Sequence, residues 1–467
     1  MTSTTAPPAE LTGRIVRPGD VDYPGACDGY NLLFAHNPAM IVFAQETQDV
    51  VNAVAWARQN DVALRVRSGR HALEGWSSVD DGIVIDVSDL KSATIDSASN
   101  TAIVGAGLNQ QEAVIELGKA GVATATGTEG TVGLVGATLG GGFGLLTRAF
   151  GMASDNLLAA EVVVASGSDG AQAIVVDEQT NPDLLWALRG AGNGNFGIVT
   201  SLTYQVHPLT QTVYLTAAWS GLGDLPGVFD AWQRCAPHTD HRLTTQLEIN
   251  TGDVKLIGVL AAGSEAEAAR LLAPILSVGA PTVLMRDANW ADNYVAFQPP
   301  PAEEIANWKF ASQFVSEPFP AEAIDLIVSF LSNAPTPECN YFTNAFGGAV
   351  RDSEPSGGSV FAHRNTLFYA EPGAGWGGAR GELPGGRPAA PDPLTPQCLA
   401  WVAELAQALA PYVDGAYVNV PNPDMADWET AYWGAGVDRL RAIKAKYDPH
   451  NVFDYQQSIP PLHDRGR

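Results

Sequence analysis

The stretch "LRVRSGRHALEGW", Leu64–Trp76, governs how the rest of the chain is read. Val62, Leu64 and Val66 alternate with Ala63, Arg65 and Arg67, the period of a half-buried strand, and Ser68-Gly69 ends it. Beyond the glycine stands a histidine, His71, preceded by Arg65, Arg67 and Arg70. A strand that ends this way presents something.

Outward from it, β-rich runs alternate with helices from Ala39 to Pro208: "AMIVFAQ", a helix through "TQDVVNAVAWARQN", then "GIVIDVS" and "NQQEAVIELGKAGV". From Thr210 to Ala416 the strand-like segments lengthen ("TTQLEINTGDVKLIGVLAAG", "SVFAHRNTLFYAE"), which predicts a separate α+β unit on a largely antiparallel sheet. Within that unit the Gly/Pro-rich "EPGAGWGGARGELPGGRPAAPDP" reads as a long surface loop or lid. The segment "WETAYWGAGVDRLRAIKAKYDPHNVFDYQQSIP" reads as a helix stopped by Asp448-Pro449 and a short aromatic tail. With 467 residues the chain exceeds the size at which one core keeps growing, so two domains are expected.

A formal net charge of −25, from 51 acidic and 26 basic residues, argues against nucleic acid and anionic membranes as partners. Cys27, Cys235, Cys339 and Cys398 are scattered without a CxxC pair, so neither a metal site nor a disulfide framework is expected. The opening "MTSTTAPPAELTG" lacks the charged start and apolar core of a signal peptide, and no apolar run is long enough to span a bilayer. A soluble cytoplasmic protein is expected, of unknown oligomeric state.

The run "GTVGLVGATLGGGFGLL" holds Gly130, Gly133, Gly136, Gly140, Gly141, Gly142 and Gly144. Glycine lets a backbone approach a ligand closely, so the run points to cofactor contact; a glycine-rich loop without a ligand is the other reading. A Rossmann loop needs G-x-G-x-x-G after a strand, whereas Gly142-Phe143-Gly144 stops at G-x-G and Thr147 stands where the third glycine belongs. A third segment, "NPDLLWALRGAGNGNFGIVTSLTYQVHP", joins a helix ending near Arg189 to a strand beginning near Ile198, through a loop that is small or polar apart from Phe196.

Taken in order with "GMASDNLLAAEVVVASG", "AYVNVPN" and "YDPHNVFDYQQSIPP", these segments resemble the flavin-linked oxidases of the vanillyl-alcohol oxidase fold, most closely the berberine-bridge-enzyme-like branch, over almost the whole chain. The resemblance implies an α+β fold: a PCMH-type FAD-binding domain in two parts, residues 1–210 and 421–467, around an inserted α+β substrate domain, residues 211–420, on a large antiparallel sheet. It implies FAD bound by the loop Arg67, Ser68, Gly69 and Arg70 and bonded covalently through His71 to the flavin's 8-methyl carbon. Successive amides around Gly69 suit a concave anion site for the pyrophosphate. Gly133, Gly136, Gly140, Gly141, Gly142, Gly197, Ile198, Asn451, Phe453 and Gln456 are the further cofactor contacts it implies, with core packing an equal reading for Phe453.

Two departures from the family pattern stand out. Where the family usually reads R-S-G-G-H, this chain has Arg70, whose charge could pair with the phosphates or point outward into solvent. Doubly attached members carry a cysteine bonded to flavin carbon 6 where this chain has Glu129, and a carboxylate makes no thioether. Single attachment through His71 follows.

Oxidation of an alcohol or phenol by this route also needs a base for its proton. The family's Y-x-N-Y reads Tyr417-Val418-Asn419-Val420 here, so the second tyrosine is missing; Tyr417 and Asn419 remain candidates near the flavin, with packing the other reading for Tyr417. Glu371 stands where berberine-bridge enzymes place an acid or amide, and in an apolar pocket its raised pKa would suit a base; an exposed strand-end glutamate beside Pro372 is the alternative. The expected function is an FAD-linked oxidase or dehydrogenase acting on a small secondary metabolite, alcohol, sugar or amine, with O₂ or another electron acceptor. A flavin-carrying binding or structural protein, a coat or carrier with little turnover, is the alternative.

Overall fold

The strand Leu64–Arg67 pairs on one side only. In the computed structural model, which describes residues 9–298, 305–379 and 392–462, Leu64–Arg67 lies at the edge of a four-stranded sheet. The order is Arg14–Val16, Met40–Phe43, Ile83–Asp86, Leu64–Arg67; the last three are parallel, and Ile83–Asp86 is buried along its whole length, as a strand covered on both faces must be. The expected alternation breaks at Arg67, which is buried because Asp86 stands directly opposite it in the register. A helix, Thr47–Gln59, makes the crossover and buries Val50, Ala53, Val54 and Ala57.

A second, five-stranded antiparallel sheet runs Ala93–Asp96, Thr101–Gly105, Ile198–Gln205, Leu157–Ser166, Gly170–Val176. One hydrophobic core joins these sheets and takes in Tyr432, Leu440, Ile443, Phe453 and Ile459 from far along the chain. The join is polar as well: the fully buried Lys444 donates from Nζ to the carbonyls of Asn195 and Phe453 and to Asp448, while the Asn195 side chain accepts from the Ile459 N–H. Burial lowers the Lys444 pKa, and the adjacent carboxylate opposes that shift.

A separate core is built on the third sheet: Thr282–Ala288, Thr212–Ser220, Asp253–Ala261, Leu243–Asn250, Asn340–Ala345, Phe368–Ala379 and Ile305–Phe310, with Gln313–Val315 also on the long strand, every pairing antiparallel. One face, carrying Leu247, Ile249, Tyr341, Phe368 and Ala370, is buried in that core with side chains of the helices Leu225–Cys235, Glu265–Leu276, Ala321–Ser332 and Thr395–Leu409. By the two-residue period, the other face carries Gln246, Phe342, Asn344, Tyr369 and Glu371.

The long strand corrects the sequence reading. Glu371–Ala379, expected as loop or lid, is a sheet strand with neighbours on both sides, and residues 380–391 lie outside the described residues. Its glycines make room for the adjoining strand: a Cβ on Gly373 would lie 2.8 Å from the Phe310 ring, and one on Gly375 would lie 2.8 Å from the Trp308 ring. Composition suggested a turn; cross-strand packing required glycine. Among the described residues no helix is long and apolar enough to cross a membrane.

Candidate active site

A long groove, about 1420 Å³ counting its open mouth, runs from the end of the Leu64–Arg67 strand past the glycine run to the tail at Phe453–Gln457. Of the expected cofactor residues, Arg67, Ser68, Gly69, Arg70, His71, Gly133, Gly136, Gly197, Ile198 and Phe453 line it, and so does Asn419. Glu129, Gly140, Gly141, Gly142, Asn451 and Gln456 are not among its lining, nor are Tyr417 and Glu371. At the tail the register is one residue off: Gln456 is exposed, whereas Gln457, at φ 61°, lines the groove and accepts from the Tyr432 hydroxyl.

The groove is shaped by backbone. A Cβ on Gly69 would lie 2.1 Å from the Gly133 nitrogen, so the two loops touch main chain to main chain. At Gly136 a Cβ would meet nothing within 4 Å, which leaves open space where the residue faces the groove. Arg67 and Arg70 of its lining are bonded within the protein. Arg67 donates to Asp86 at 2.7 Å and to the Ala26 carbonyl. Arg70, in the glycine position of the family pattern, takes the left-handed φ of 63° and reaches back to the Gly25 carbonyl and, at 3.6 Å, to Asp86. Asp86 and the exposed Gly25 carbonyl are the acceptors it meets here.

His71 is held from two sides. Tyr30 stacks on its ring at 4.2 Å, and Thr131 Oγ1 lies 2.8 Å from its Nε2. Thr131 in turn bonds through both its hydroxyl and its backbone N–H to the Glu129 carboxylate. Tyr30 and Thr131 were missed from sequence. Thr131 lies inside the quoted "GTVGLVGATLGGGFGLL", two residues from Glu129, already singled out, whereas Tyr30 carries no motif at all.

The triple glycine serves a different purpose from lining. The Gly142 N–H donates to the Tyr417 hydroxyl at 2.8 Å, and Asn419 Nδ2 donates to the same oxygen at 2.8 Å. A Cβ on Gly140 would lie 2.1 Å from Asn419 Oδ1. Asn193, another groove residue missed from sequence, donates to Asn419 Oδ1 and to the Gly136 carbonyl, while its own Oδ1 is buried without a protein partner. Tyr417 and Asn419 thus link the groove to the chamber beyond it.

That chamber is a packed cluster of buried aromatic rings. Phe143 sits 4.7 Å from the Tyr369 ring and 5.2 Å from Tyr417, with Phe314, Phe346 and Phe361 around them and Val420 packed against the cluster where the second family tyrosine would stand. Glu371 is half-buried here and accepts a hydrogen bond from the Tyr369 hydroxyl. Burial pushes its carboxyl up to about 7, and the Tyr369 bond, which favours the ion, offsets only part of that. Burial also raises the Tyr417 phenol, taking it further from ionisation. Of the two, only Glu371 is poised to exchange a proton near neutrality. Among the described residues no cluster of three His, Cys, Asp or Glu could hold a metal.

These features fit an FAD: a groove floored by glycine backbone, a Cβ-sized space at Gly136, and an orphaned buried acceptor on Asn193. The comparisons with known proteins agree. Residues 38–168 match the FAD binding domain family, and residues 416–460 match the berberine and berberine-like family. An uncharacterised FAD-linked oxidoreductase of Bacillus subtilis is 37% identical over 97% of this chain and 98% of its own length. (R)-6-hydroxynicotine oxidase of Paenarthrobacter nicotinovorans is 34% identical over 51% of this chain and 52% of its own. The structure of BBE-like 1 from Physcomitrella patens superposes with a TM-score of 0.86 at 27% identity, covering 96% of this chain and 97% of that one.

Proposed function

The chain belongs to the berberine-bridge-enzyme-like family of FAD-linked oxidoreductases, and from that premise we propose that it oxidises an alcohol, phenol or amine carbon of a small molecule, with the flavin bonded to His71 and Glu371 taking the substrate's proton. Bound FAD supplies the two-electron acceptor and passes the electrons on to dioxygen or another acceptor. The core that joins residues 42–206 to 432–459 is the flavin unit in this reading, and the core of residues 213–409 is the substrate unit.

The observation that carries the reading is Glu371. Burial beside the aromatic rings pushes its carboxyl up to about 7, into the range where a base works near neutral pH. Tyr369 orients the carboxyl through its hydroxyl. Tyr417 fixes Gly142 and Asn419 and so holds the chamber against the groove; its role is to position, not to take the proton. Phe143 and Phe342, the partly buried rings of that cluster, supply an apolar surface for a flat or hydrocarbon-rich substrate. An amine bound unprotonated needs no base, and the half-length match to (R)-6-hydroxynicotine oxidase supports keeping amines in the substrate class.

Anaerobic mixing with alcohols, phenols, sugars and amines tests the reading, because loss of flavin absorbance reports reduction directly. With an alcohol the rate should climb as pH rises through about 7, since the carboxylate is the accepting form. Glu371→Gln should keep its flavin, reduce it roughly 10²–10⁴-fold more slowly and lose that climb. A glutamine variant within a few-fold of wild type, with the climb intact, removes Glu371 from the reaction.

A further inference from the structure

Glu129, Thr131 and His71 form one hydrogen-bonded chain. Thr131 Oγ1 lies 2.9 Å from Glu129 Oε1 and 2.8 Å from His71 Nε2. A carboxylate only accepts, so the one hydroxyl proton of Thr131 goes to Glu129. The hydroxyl oxygen then has only lone pairs to offer the imidazole, and Nε2 must carry a proton and donate it. Glu129 is itself held for the purpose: the same oxygen accepts the Thr131 backbone N–H at 3.1 Å. In the neutral ring this places the in-plane lone pair on Nδ1.

We propose that Glu129, acting through Thr131, sets the tautomer of His71 and stabilises the charge its ring gains when Nδ1 is alkylated, which makes both of them positioning residues for flavin attachment. The proposal rests on the reading that His71 is the attachment site. One bond forms, from Nδ1 to the flavin's 8-methyl carbon. A methyl C–H and the imidazole N–H give up their protons, and two electrons pass to dioxygen, which with two protons becomes hydrogen peroxide. Between bond formation and proton loss the ring is a cation, and the proton it must shed sits on Nε2, the atom Thr131 holds. The residue that stands in place of the family's second attachment cysteine therefore serves the first attachment.

The readout is the share of flavin that stays with the chain after acid precipitation, taken beside total flavin bound and the thermal midpoint. Wild type should keep its flavin and His71→Ala should release all of it; a wild-type chain that releases its flavin refutes the attachment reading itself, whatever Glu129 does. With wild-type attachment in hand, Thr131→Val and Glu129→Ala, incubated with FAD, should bind it but attach it roughly 10- to 100-fold more slowly, the scale on which a metal-ligating histidine responds to loss of its outer hydrogen-bond partner. Thr131→Ser keeps the hydroxyl and should attach at close to the wild-type rate, a rescue that loss of packing would not give. Attachment at the wild-type rate in both Thr131→Val and Glu129→Ala overturns the proposal. Should either fail to retain FAD, the isosteric Glu129→Gln decides: the wild-type rate overturns the proposal and a slower one supports it.

Discussion

At the groove, Gly69 and Gly133 bring two loops together by main chain, so closely that one added carbon would sit 2.1 Å from a backbone nitrogen. In the chamber beyond, Phe143, Tyr369 and Tyr417 meet by their rings at 4.7–5.7 Å, and the backbone only carries them. The first region depends on side chains that are absent and the second on side chains that are present. Backbone in contact with backbone has no rotamer to change, whereas packed rings can shift and refill space. The groove should therefore tolerate almost no substitution at its crossing point, and the chamber should yield by degrees.

Gly69→Ala is the hardest blow to that contrast. It should destabilise by about 3 kcal/mol, the upper end for overpacking, and lower the flavin bound, both readable by thermal melting and flavin absorbance. A variant that melts and binds as wild type would show slack in the backbone and break the comparison. Tyr417→Phe comes next: the ring stays, but the Gly142 N–H and the Asn419 amide lose their acceptor, a cost of about 1–3 kcal/mol in denaturant unfolding. A loss well above that range would mean the chamber is as brittle as the groove. The smallest effect is expected of Arg70→Gly, which relieves a left-handed backbone costing about 1–2 kcal/mol but gives up the contacts to Gly25 and Asp86. Its midpoint should stay within about 1 kcal/mol of wild type, and a larger loss would sharpen the comparison by showing that this loop leans on a side chain after all.

The same contrast explains what could be read from the sequence. A backbone site leaves a dense local signature, and "RSGRH" with the glycine run brought Gly69, His71, Gly133 and Gly136 to the groove where the structure has them. Phe453 and Asn419 also reach it, while at the tail Gln457, with a left-handed φ, lines the groove and Gln456 does not. The chamber is assembled from segments near 143, 314, 346, 369 and 417, and no local pattern announces that these rings will meet. Glu371 was reached through resemblance alone, which put it on a strand, while composition suggested a loop there because glycines that admit Trp308 and Phe310 look like those of a turn. Tyr30 and the Thr131–Glu129 pair show the same limit from the groove side: which neighbour holds His71 is a matter of tertiary contact.

The buried Lys444, bonded to the Asn195 carbonyl across 249 residues of chain, also sets a clock. At about 5–20 residues per second of synthesis, the loop that borders the groove waits roughly 12–50 s on the ribosome before the lysine that anchors it has been made. Through that interval the core of residues 213–409 emerges whole, while the groove lacks Tyr432, Phe453 and Gln457 from its wall. The wall of the groove is therefore completed only after the core of residues 213–409 has been made.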